Sequence, residues 1–149
     1  MTSAAGLIEQ SLLHIAETGS ELRHGLYQRF FAAFPDRRSA FLCPDATSIR
    51  MTDETMQMLY GIAAGEDWVW LLISELVATH RSYGQLPLEE YHAWVDMLPM
   101  EVEHVLGDQW TAPMAEAWHC SAEELKAMIT RASNDWDRIL PSGQARVSA

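Results

Sequence analysis

Histidine is the residue type in this chain best suited to metal chemistry, because a neutral imidazole is a common ligand of transition metals. Six histidines occur in 149 residues, and five of them have polar neighbours or fall on predicted helix faces of mixed polarity. His80 differs, because its imidazole is predicted to lie on the most apolar stripe of the sequence. Counting back at helical spacing gives Leu76 or Val77, then Ile73 and Trp70. That spacing by itself is typical of a buried core histidine and does not supply a metal.

The composition argues against several classes of function. An apolar content of 48% and a charged content of 21% are typical of one soluble domain with a core. The formal net charge of −11 would repel phosphate groups, so neither nucleic acid nor an acidic membrane is an expected partner. Two widely separated cysteines and the lack of a leader-like opening predict a cytoplasmic location. The apolar residues 68–78 are too few to cross a bilayer, which takes roughly 20 residues, so we expect a core helix and no membrane insertion.

Hydrophobic residues recur at spacings near 3.6 along the chain, which predicts an all-α fold. Gly19 and Ser20 separate the first two helices, and Pro35 ends the second one and can open a short third. Residues 43–48 are expected to be a loop. About seven or eight helices should pack at crossed angles around one core.

The later helices are expected at residues 49–64, 68–83 and 88–106 and from residue 111 onwards. Pro99 removes one backbone hydrogen bond from the third of these, which predicts a kink or a break there. One domain should cover residues 1–140, followed by a disordered or loosely ordered tail at residues 141–149.

Several short motifs follow one another in order between Leu7 and about Arg131. They are LYQRFF at residues 26–31 with FPD at 34–36, Phe41, HRSYG at 80–84 with Glu90 and Tyr91, and LGDQWT at 106–111 with AEAW at 115–118. Their order and spacing resemble the globins, most nearly the bacterial single-domain haemoglobins and the globin domain of flavohaemoglobins. The resemblance implies a globin fold over residues 1–140, in which seven to eight helices pack around haem b, an iron protoporphyrin IX.

The resemblance also implies roles for individual residues. His80 would be the protein ligand of the iron and would leave the opposite face open for a diatomic gas. Its second ring nitrogen needs an acceptor, for which Tyr91 and a backbone carbonyl one turn back are the candidates. The Glu that completes this arrangement in the bacterial group falls at Ser133 here and is missing. Tyr27 would donate a hydrogen bond to bound oxygen, and Phe41 would stack on the porphyrin.

The helix on the gas-binding side has an ambiguous register, because the connection that follows it is shorter than in the globins it resembles. The preferred register places Thr52 at the entrance and Met56 one turn later, over the haem. A shift by one or by three residues would place Met51 or Thr55 there instead, and neither supplies the usual His or Gln. The remaining apolar haem contacts that the resemblance implies are Leu76, Leu86, Trp94 and Leu98.

The function implied is reversible binding of O2, and of other diatomic gases such as NO and CO, at a His-ligated iron. One alternative is a nitric oxide dioxygenase, which would depend on a separate reductase. Another is a gas or redox sensor, or a haem-free module that binds a partner protein. Both a monomer and a homodimer are compatible with the sequence.

Overall fold

Helices make up every regular element that the structure describes. The computed structural model describes residues 2–41, 43–84 and 86–139, and no strand occurs within them. The α-helices in these ranges are α1 (Ala4–Thr18), α2 (Leu22–Ala33), α3 (Pro44–Ala63), α4 (Trp68–Arg81), α5 (Leu88–Leu106) and α6 (Ala112–Ile139), with 3₁₀ helices at Pro35–Ala40 and Gly107–Gln109. None of these helices combines the length and apolar character that a membrane span needs. The prediction of an all-α fold is confirmed, while the tail predicted at residues 141–149 lies outside the described ranges.

Local signals in the sequence set several of the helix ends. The hydroxyl of Ser3 accepts a hydrogen bond from the backbone N–H of Gly6 and caps the start of α1. Gly19 ends that helix with a φ of 68°, a left-handed conformation that glycine adopts without strain. Pro35 opens the first 3₁₀ helix, where its missing N–H costs nothing. These boundaries agree with the sequence analysis.

The loop predicted at residues 43–48 is wrong, because α3 already begins at Pro44. A proline is well tolerated in the first turn of a helix, and the adjacent Asp45 places a negative charge at the positive end of the helix dipole. Arg23 of α2 also donates hydrogen bonds to the Asp45 carbonyl at 3.3 Å and to the Ser48 hydroxyl at 3.0 Å. Contacts from another helix therefore order a segment that resembles a loop in composition.

Of the kink or break predicted at Pro99, the break does not occur, because α5 runs without interruption from Leu88 to Leu106, and the kink stays a prediction. Val95, Leu98 and Val102 surround the proline on the inner face of α5, and all three are fully buried. Their burial stabilises the helix on both sides of the proline, and this outweighs the one backbone hydrogen bond that the proline removes.

The long helix α6 is the element on which most of the others pack: it contacts α1, α3, α4 and α5. Trp118 of α6 is fully buried, and its Nε1 donates a hydrogen bond to the hydroxyl of Ser11 in α1 at 3.1 Å. Three residues later, Ser121 donates a hydrogen bond to the Leu59 carbonyl of α3. Buried polar contacts of this kind fix how each helix is placed along α6.

Helices α3 and α4 approach each other closely at Gly61. A Cβ atom at this position would lie 2.6 Å from Cγ2 of Val69 and 2.8 Å from the ring of Trp68. Only a glycine leaves room for this approach, which joins the end of α3 to the start of α4. The relative position of these two helices is therefore fixed at one end.

Two ion pairs attach the elements before α3 to α5. Arg37, in the first 3₁₀ helix, makes a two-pronged contact with Glu90, and its Nη2 lies 2.7 Å from Oε2. Arg29 of α2 donates a hydrogen bond from Nε to the buried carboxylate of Glu101 at 2.9 Å. Gly25 lies directly under that carboxylate, with which a Cβ atom would collide. The first turn of α5 and its middle are therefore both fixed by charged contacts.

Replacing Arg37 with Ala should lower the free energy of unfolding by about 2–3 kcal/mol, because it leaves the Glu90 carboxylate, only 6% exposed, without its cation. This estimate is at the low end for a buried pair, since the Arg37 side chain itself is 39% exposed. Arg50→Ala is the matched control: Arg50 is 78% exposed and pairs with Glu54 within α3, so its loss should cost less than about 0.5 kcal/mol. Urea denaturation followed by circular dichroism measures both, and equal losses would contradict the prediction.

Candidate functional site

His80 lies in the last turn of α4 with one of its two ring nitrogens fixed. Its Nδ1 is 2.8 Å from the Leu76 carbonyl, one turn back on the same helix. Because a carbonyl only accepts, Nδ1 must carry the hydrogen, and in the neutral ring Nε2 then carries the lone pair. Nε2 has no hydrogen-bond partner within residues 2–41, 43–84 and 86–139. The imidazole is therefore held in one orientation, and the lone pair of Nε2 is free to bind a metal. Of the two partners considered for its second nitrogen, the backbone carbonyl is the one it contacts.

Tyr91 of α5 packs against the ring of His80. The ring centroids are 5.6 Å apart, and the planes meet at 69°, an edge-on arrangement. Burial raises the pKa of Tyr91 to about 12, although the nearby positive charge of Arg81 acts in the opposite direction. Tyr91 is therefore a neutral phenol that restricts how the imidazole can tilt.

The face of α4 that carries His80 is apolar and only half-buried. Leu72, Leu76 and His80 follow one another at intervals of four residues, so they form a strip along one side of the helix. Ile73 and Val77 are fully buried on the neighbouring face, where α4 packs on the core. Leu72 and Leu76 thus leave apolar surface accessible beside the free nitrogen of His80.

A second cluster, which we call the Tyr27 cluster, consists of Tyr27, Phe31, Phe41 and Trp94. The Tyr27 ring has its centroid 5.0 Å from Trp94, 5.4 Å from Phe41 and 5.5 Å from Phe31, and all three contacts are edge-on. Burial raises the pKa of Tyr27 well above its ordinary value. Its hydroxyl therefore keeps its proton and can act as a hydrogen-bond donor at any physiological pH.

Met51 and Thr55, one turn apart on α3, face the Tyr27 cluster. The Tyr27 hydroxyl donates a hydrogen bond to Sδ of Met51 at 3.2 Å, and the Thr47 carbonyl lies 3.4 Å away as a second acceptor. The hydroxyl of Thr55 accepts from Nε1 of Trp94 at 2.9 Å and donates to the Met51 carbonyl at 2.7 Å. This face of α3 is therefore the one that lies against Tyr27.

Thr52 and Met56, which the preferred register places at the entrance and over the haem, lie on a different face of α3 from Met51 and Thr55. That register stays a prediction. With Leu12 and Ile15 of α1, Thr52 and Met56 line a groove of about 430 Å³. The α1–α3 contact buries Thr52 to 3% exposure, and its hydroxyl has no partner in the described parts of the chain. The sequence could not separate the two faces, because each presents one methionine and one threonine.

The first two turns of α5 join the His80 site to the Tyr27 cluster. Tyr91 and Trp94 are three residues apart, which makes them neighbours on the helix surface. Tyr91 contacts His80 on one side, while Trp94 contacts Tyr27 and Thr55 on the other. Through Tyr91 and Trp94, the start of α5 therefore links the position of His80 to that of the Tyr27 cluster.

Leu98 and Leu86 are two further residues for which an apolar contact with a haem is expected. Leu98 is fully buried one turn beyond Trp94, and its predicted contact with a haem stays a prediction. It lies on the stripe of α5 that packs into the core. Leu86 is half-buried in the connection before α5.

The donor set of the site fits a haem better than it fits a bare metal ion. Within the described residues, no group of three or more His, Cys, Asp or Glu side chains could hold a metal ion. A metal bound to Nε2 of His80 would therefore have to bring most of its ligands with it, as the iron of a porphyrin does. The apolar strip of α4 beside Nε2 is a suitable surface for one face of such a group.

Comparison with models of known protein families finds none that matches this chain, and comparison with curated proteins finds no match either. What the site can bind is therefore inferred from its own chemistry. Its features are a free imidazole nitrogen, apolar walls and a buried phenol donor.

Replacing Tyr91 with Phe should make the protein more resistant to alkali. The pKa of Tyr91 is raised from about 10 to about 12 in the folded protein, so above pH 10 the unfolded chain releases this proton more readily than the folded one. Its contribution to stability is complete below pH 10 and is lost as the pH rises towards 12. Circular dichroism during an alkaline titration should show Tyr91→Phe unfolding at higher pH than the wild type. The same change at Tyr83, which is 85% exposed, should leave the unfolding pH unaltered; a shift there as large as that of Tyr91→Phe would refute the assignment.

Proposed function

We propose that this protein is a globin that holds haem b through His80 and reversibly binds a diatomic gas, O2, NO or CO, on the opposite face of the haem. The observation that carries the proposal is the state of the His80 ring. Its Nδ1 is held by the Leu76 carbonyl, and its Nε2 is free beside a half-buried apolar strip. An imidazole with a fixed tautomer and an accessible second nitrogen is what axial ligation of iron requires.

The order of the helices also supports a globin fold. A short 3₁₀ helix follows α2, the candidate ligand lies in the last turn of α4, and the longest helix comes last. This order agrees with the globin resemblance of the motifs at residues 26–41, 80–91 and 106–118. The crossed packing of α-helices around a buried prosthetic group is the architecture expected of that family.

The partner of His80 favours reversible gas binding over oxidative turnover. When bound, the haem supplies the iron at which the gas is held. The Leu76 carbonyl orients the imidazole, but it is neutral and passes less charge to the ring than a carboxylate would. The position at which the bacterial group has a Glu is Ser133, a half-buried residue of α6. Among the residues that the structure describes, no carboxylate hydrogen-bonds the His80 ring, so the strong electron donor that a dioxygenase would use is not present among them.

Tyr27 supplies the hydrogen-bond donor on the gas-binding side. Its phenol is neutral, buried and held within the Tyr27 cluster, so its hydroxyl can turn only a short distance. Phe41, which packs edge-on against Tyr27, is half-buried and presents the remainder of its ring. A gas that carries partial negative charge would be stabilised by the hydroxyl and would displace its present contact with Met51.

Replacing His80 with Ala should abolish stoichiometric haem binding. Titrating the purified protein with haem should give a Soret band that saturates at one haem per chain in the wild type and is lost in His80→Ala. Added imidazole should restore the band in the variant, because it replaces the missing ligand without altering the fold. His24→Ala is the matched control, since His24 lies on the surface of α2 with its side chain 69% exposed. A saturable band of unchanged shape in His80→Ala would disprove the ligand assignment.

Replacing Tyr27 with Phe should raise the dissociation rate of O2 from the reduced protein about fivefold to tenfold, because one neutral hydrogen bond contributes about 1 kcal/mol or somewhat more. Stopped-flow mixing of the oxygenated protein with excess CO measures that rate. Tyr60→Phe is the control for the loss of a phenol, because Tyr60 is part of α3 but lines a depression with Leu12 and Gln57 instead. Unchanged O2 dissociation in Tyr27→Phe would contradict the role of its hydroxyl.

A further inference from the structure

The groove between α1 and α3 lies on a face of α3 other than the one that faces Tyr27. Its walls are mostly apolar: Leu12 and Ile15 of α1 and Met56 of α3 border a volume of about 430 Å³. Volumes of roughly 300–1,000 Å³ and largely apolar walls are typical of sites that bind small molecules. Neither His80 nor any residue of the Tyr27 cluster lines this groove, so what it binds is a separate question from haem binding.

Thr52 lies in the wall of the groove with its hydroxyl unused. Thr55, Thr79 and Thr130 each donate a hydrogen bond to the carbonyl four residues earlier, a common partner for a threonine inside a helix. Thr52 makes no such bond: the residue is 3% exposed, and its hydroxyl has no partner in the part of the chain that the structure describes. An unpaired buried hydroxyl destabilises a fold, so this one is best explained by a polar group that reaches it from the groove.

The charges at the rim of the groove determine which polar group that is. Arg23 and Glu21 lie at one end but are already paired, since Nε of Arg23 is 3.2 Å from Oε2 of Glu21, and its Nη1 donates to the Ser48 hydroxyl. Asp53, next to Thr52, lines the same groove and has no cation paired with it among the described residues. The charge left for a ligand is therefore negative, in a chain whose formal net charge is −11. A cationic head group is the one that this rim attracts.

A smaller depression of about 270 Å³ adjoins the groove and shares Leu12, Asp53 and Met56 with it. Gln57 and Tyr60 complete its lining. Asp53, Gln57 and Tyr60 follow one another at intervals of four and three residues, so they lie on one side of α3. A carboxylate, an amide oxygen and an aromatic ring all attract an ammonium group. Asp53 therefore lies where the apolar groove meets a surface suited to a cation.

We propose that the groove between α1 and α3 binds a primary aliphatic amine in its protonated form. The hydrocarbon chain lies against Leu12, Ile15 and Met56, and the ammonium group lies beside Asp53. An ammonium has three N–H donors and no acceptor, so it can donate both to the Asp53 carboxylate and to the Thr52 hydroxyl. Asp53 would repel a carboxylate head group, and an alcohol would leave its charge unpaired.

The test is a calorimetric titration of the purified full chain at neutral pH with four probes. Octylammonium should saturate at one molecule per chain. Octanol keeps the chain without the charge and should bind about fivefold more weakly, the difference expected for an exposed ion pair. Octanoate should show no saturable binding because its charge has the wrong sign. Ethylammonium should show none either, because it lacks most of the apolar surface.

Two variants separate ligand binding from a structural role. Asp53→Asn should lower the affinity for octylammonium about fivefold and leave the affinity for octanol unchanged. Asp108→Asn is the matched control, because Asp108 is an exposed residue of the second 3₁₀ helix and its loss changes the net charge equally. Thr52→Val should have two effects of opposite sign: octylammonium should bind about tenfold more weakly, whereas the protein without a probe should unfold at higher urea concentration. Valine has no hydroxyl to leave unpaired.

A third variant fills the groove without removing a polar group. Ala16 lines the groove and is exposed, so Ala16→Phe should block octylammonium binding while the circular dichroism spectrum stays unchanged. The proposal is overturned if octanol or octanoate binds as tightly as octylammonium, or if octylammonium does not saturate at one per chain. It is also overturned if Asp53→Asn weakens binding no more than Asp108→Asn does, or if Thr52→Val or Ala16→Phe leaves the affinity unchanged. None of these outcomes bears on the His80-dependent Soret band, because His80 does not line the groove.

Discussion

The hydrogen bond from Nδ1 of His80 to the Leu76 carbonyl determines what the rest of the site can do. It is formed within one turn of α4, so it needs no partner from another helix and exists wherever that turn exists. By fixing the proton on Nδ1 it makes Nε2 the only basic atom of the ring. The half-buried strip formed by Leu72 and Leu76 then determines the surroundings of that atom, because it supplies apolar surface and no competing donor.

The start of α5 is the second constraint, because its residues contact both His80 and the Tyr27 cluster. Tyr91 and Trp94 contact His80 and Tyr27 respectively, so a small rotation of this turn would change both contacts. Glu90 immediately precedes Tyr91 in sequence, and its carboxylate is paired with Arg37. A buried ion pair contributes little net stability compared with apolar packing, but it tolerates few alternative arrangements. The ion pair at this place is therefore better explained by the need to hold the first turn of α5 in one arrangement than by a need for stability of the fold.

Local signals predicted most of the fold, and contacts between helices explain where they failed. Hydrophobic spacing and the residues Gly19 and Pro35 act within a few residues of where they stand, so helices and their ends could be derived from them. The helical conformation at residues 43–48 and at Pro99 could not be derived from such signals. Arg23 orders residues 43–48, and burial of the surrounding residues keeps the chain helical at Pro99. His80, Tyr27 and Phe41 were predicted as site residues from the order and spacing of one set of motifs, and their roles stay predictions. The sequence could not show which Met and Thr residues of α3 lie against Tyr27, because that depends on the face of α3 that α1 covers.

The energetics of Tyr27 explain how one residue could serve two acceptors in turn. Its hydroxyl has one proton, and the two acceptors within reach are both weak: a thioether sulfur at 3.2 Å and a carbonyl at 3.4 Å, beyond the usual range. Giving up these contacts costs less than giving up a normal neutral hydrogen bond, which contributes about 1 kcal/mol. Burial meanwhile excludes water as a competitor and raises the pKa of the phenol, so the proton stays in place. A donor that is buried, protonated and weakly engaged gains most from a new acceptor that carries partial negative charge.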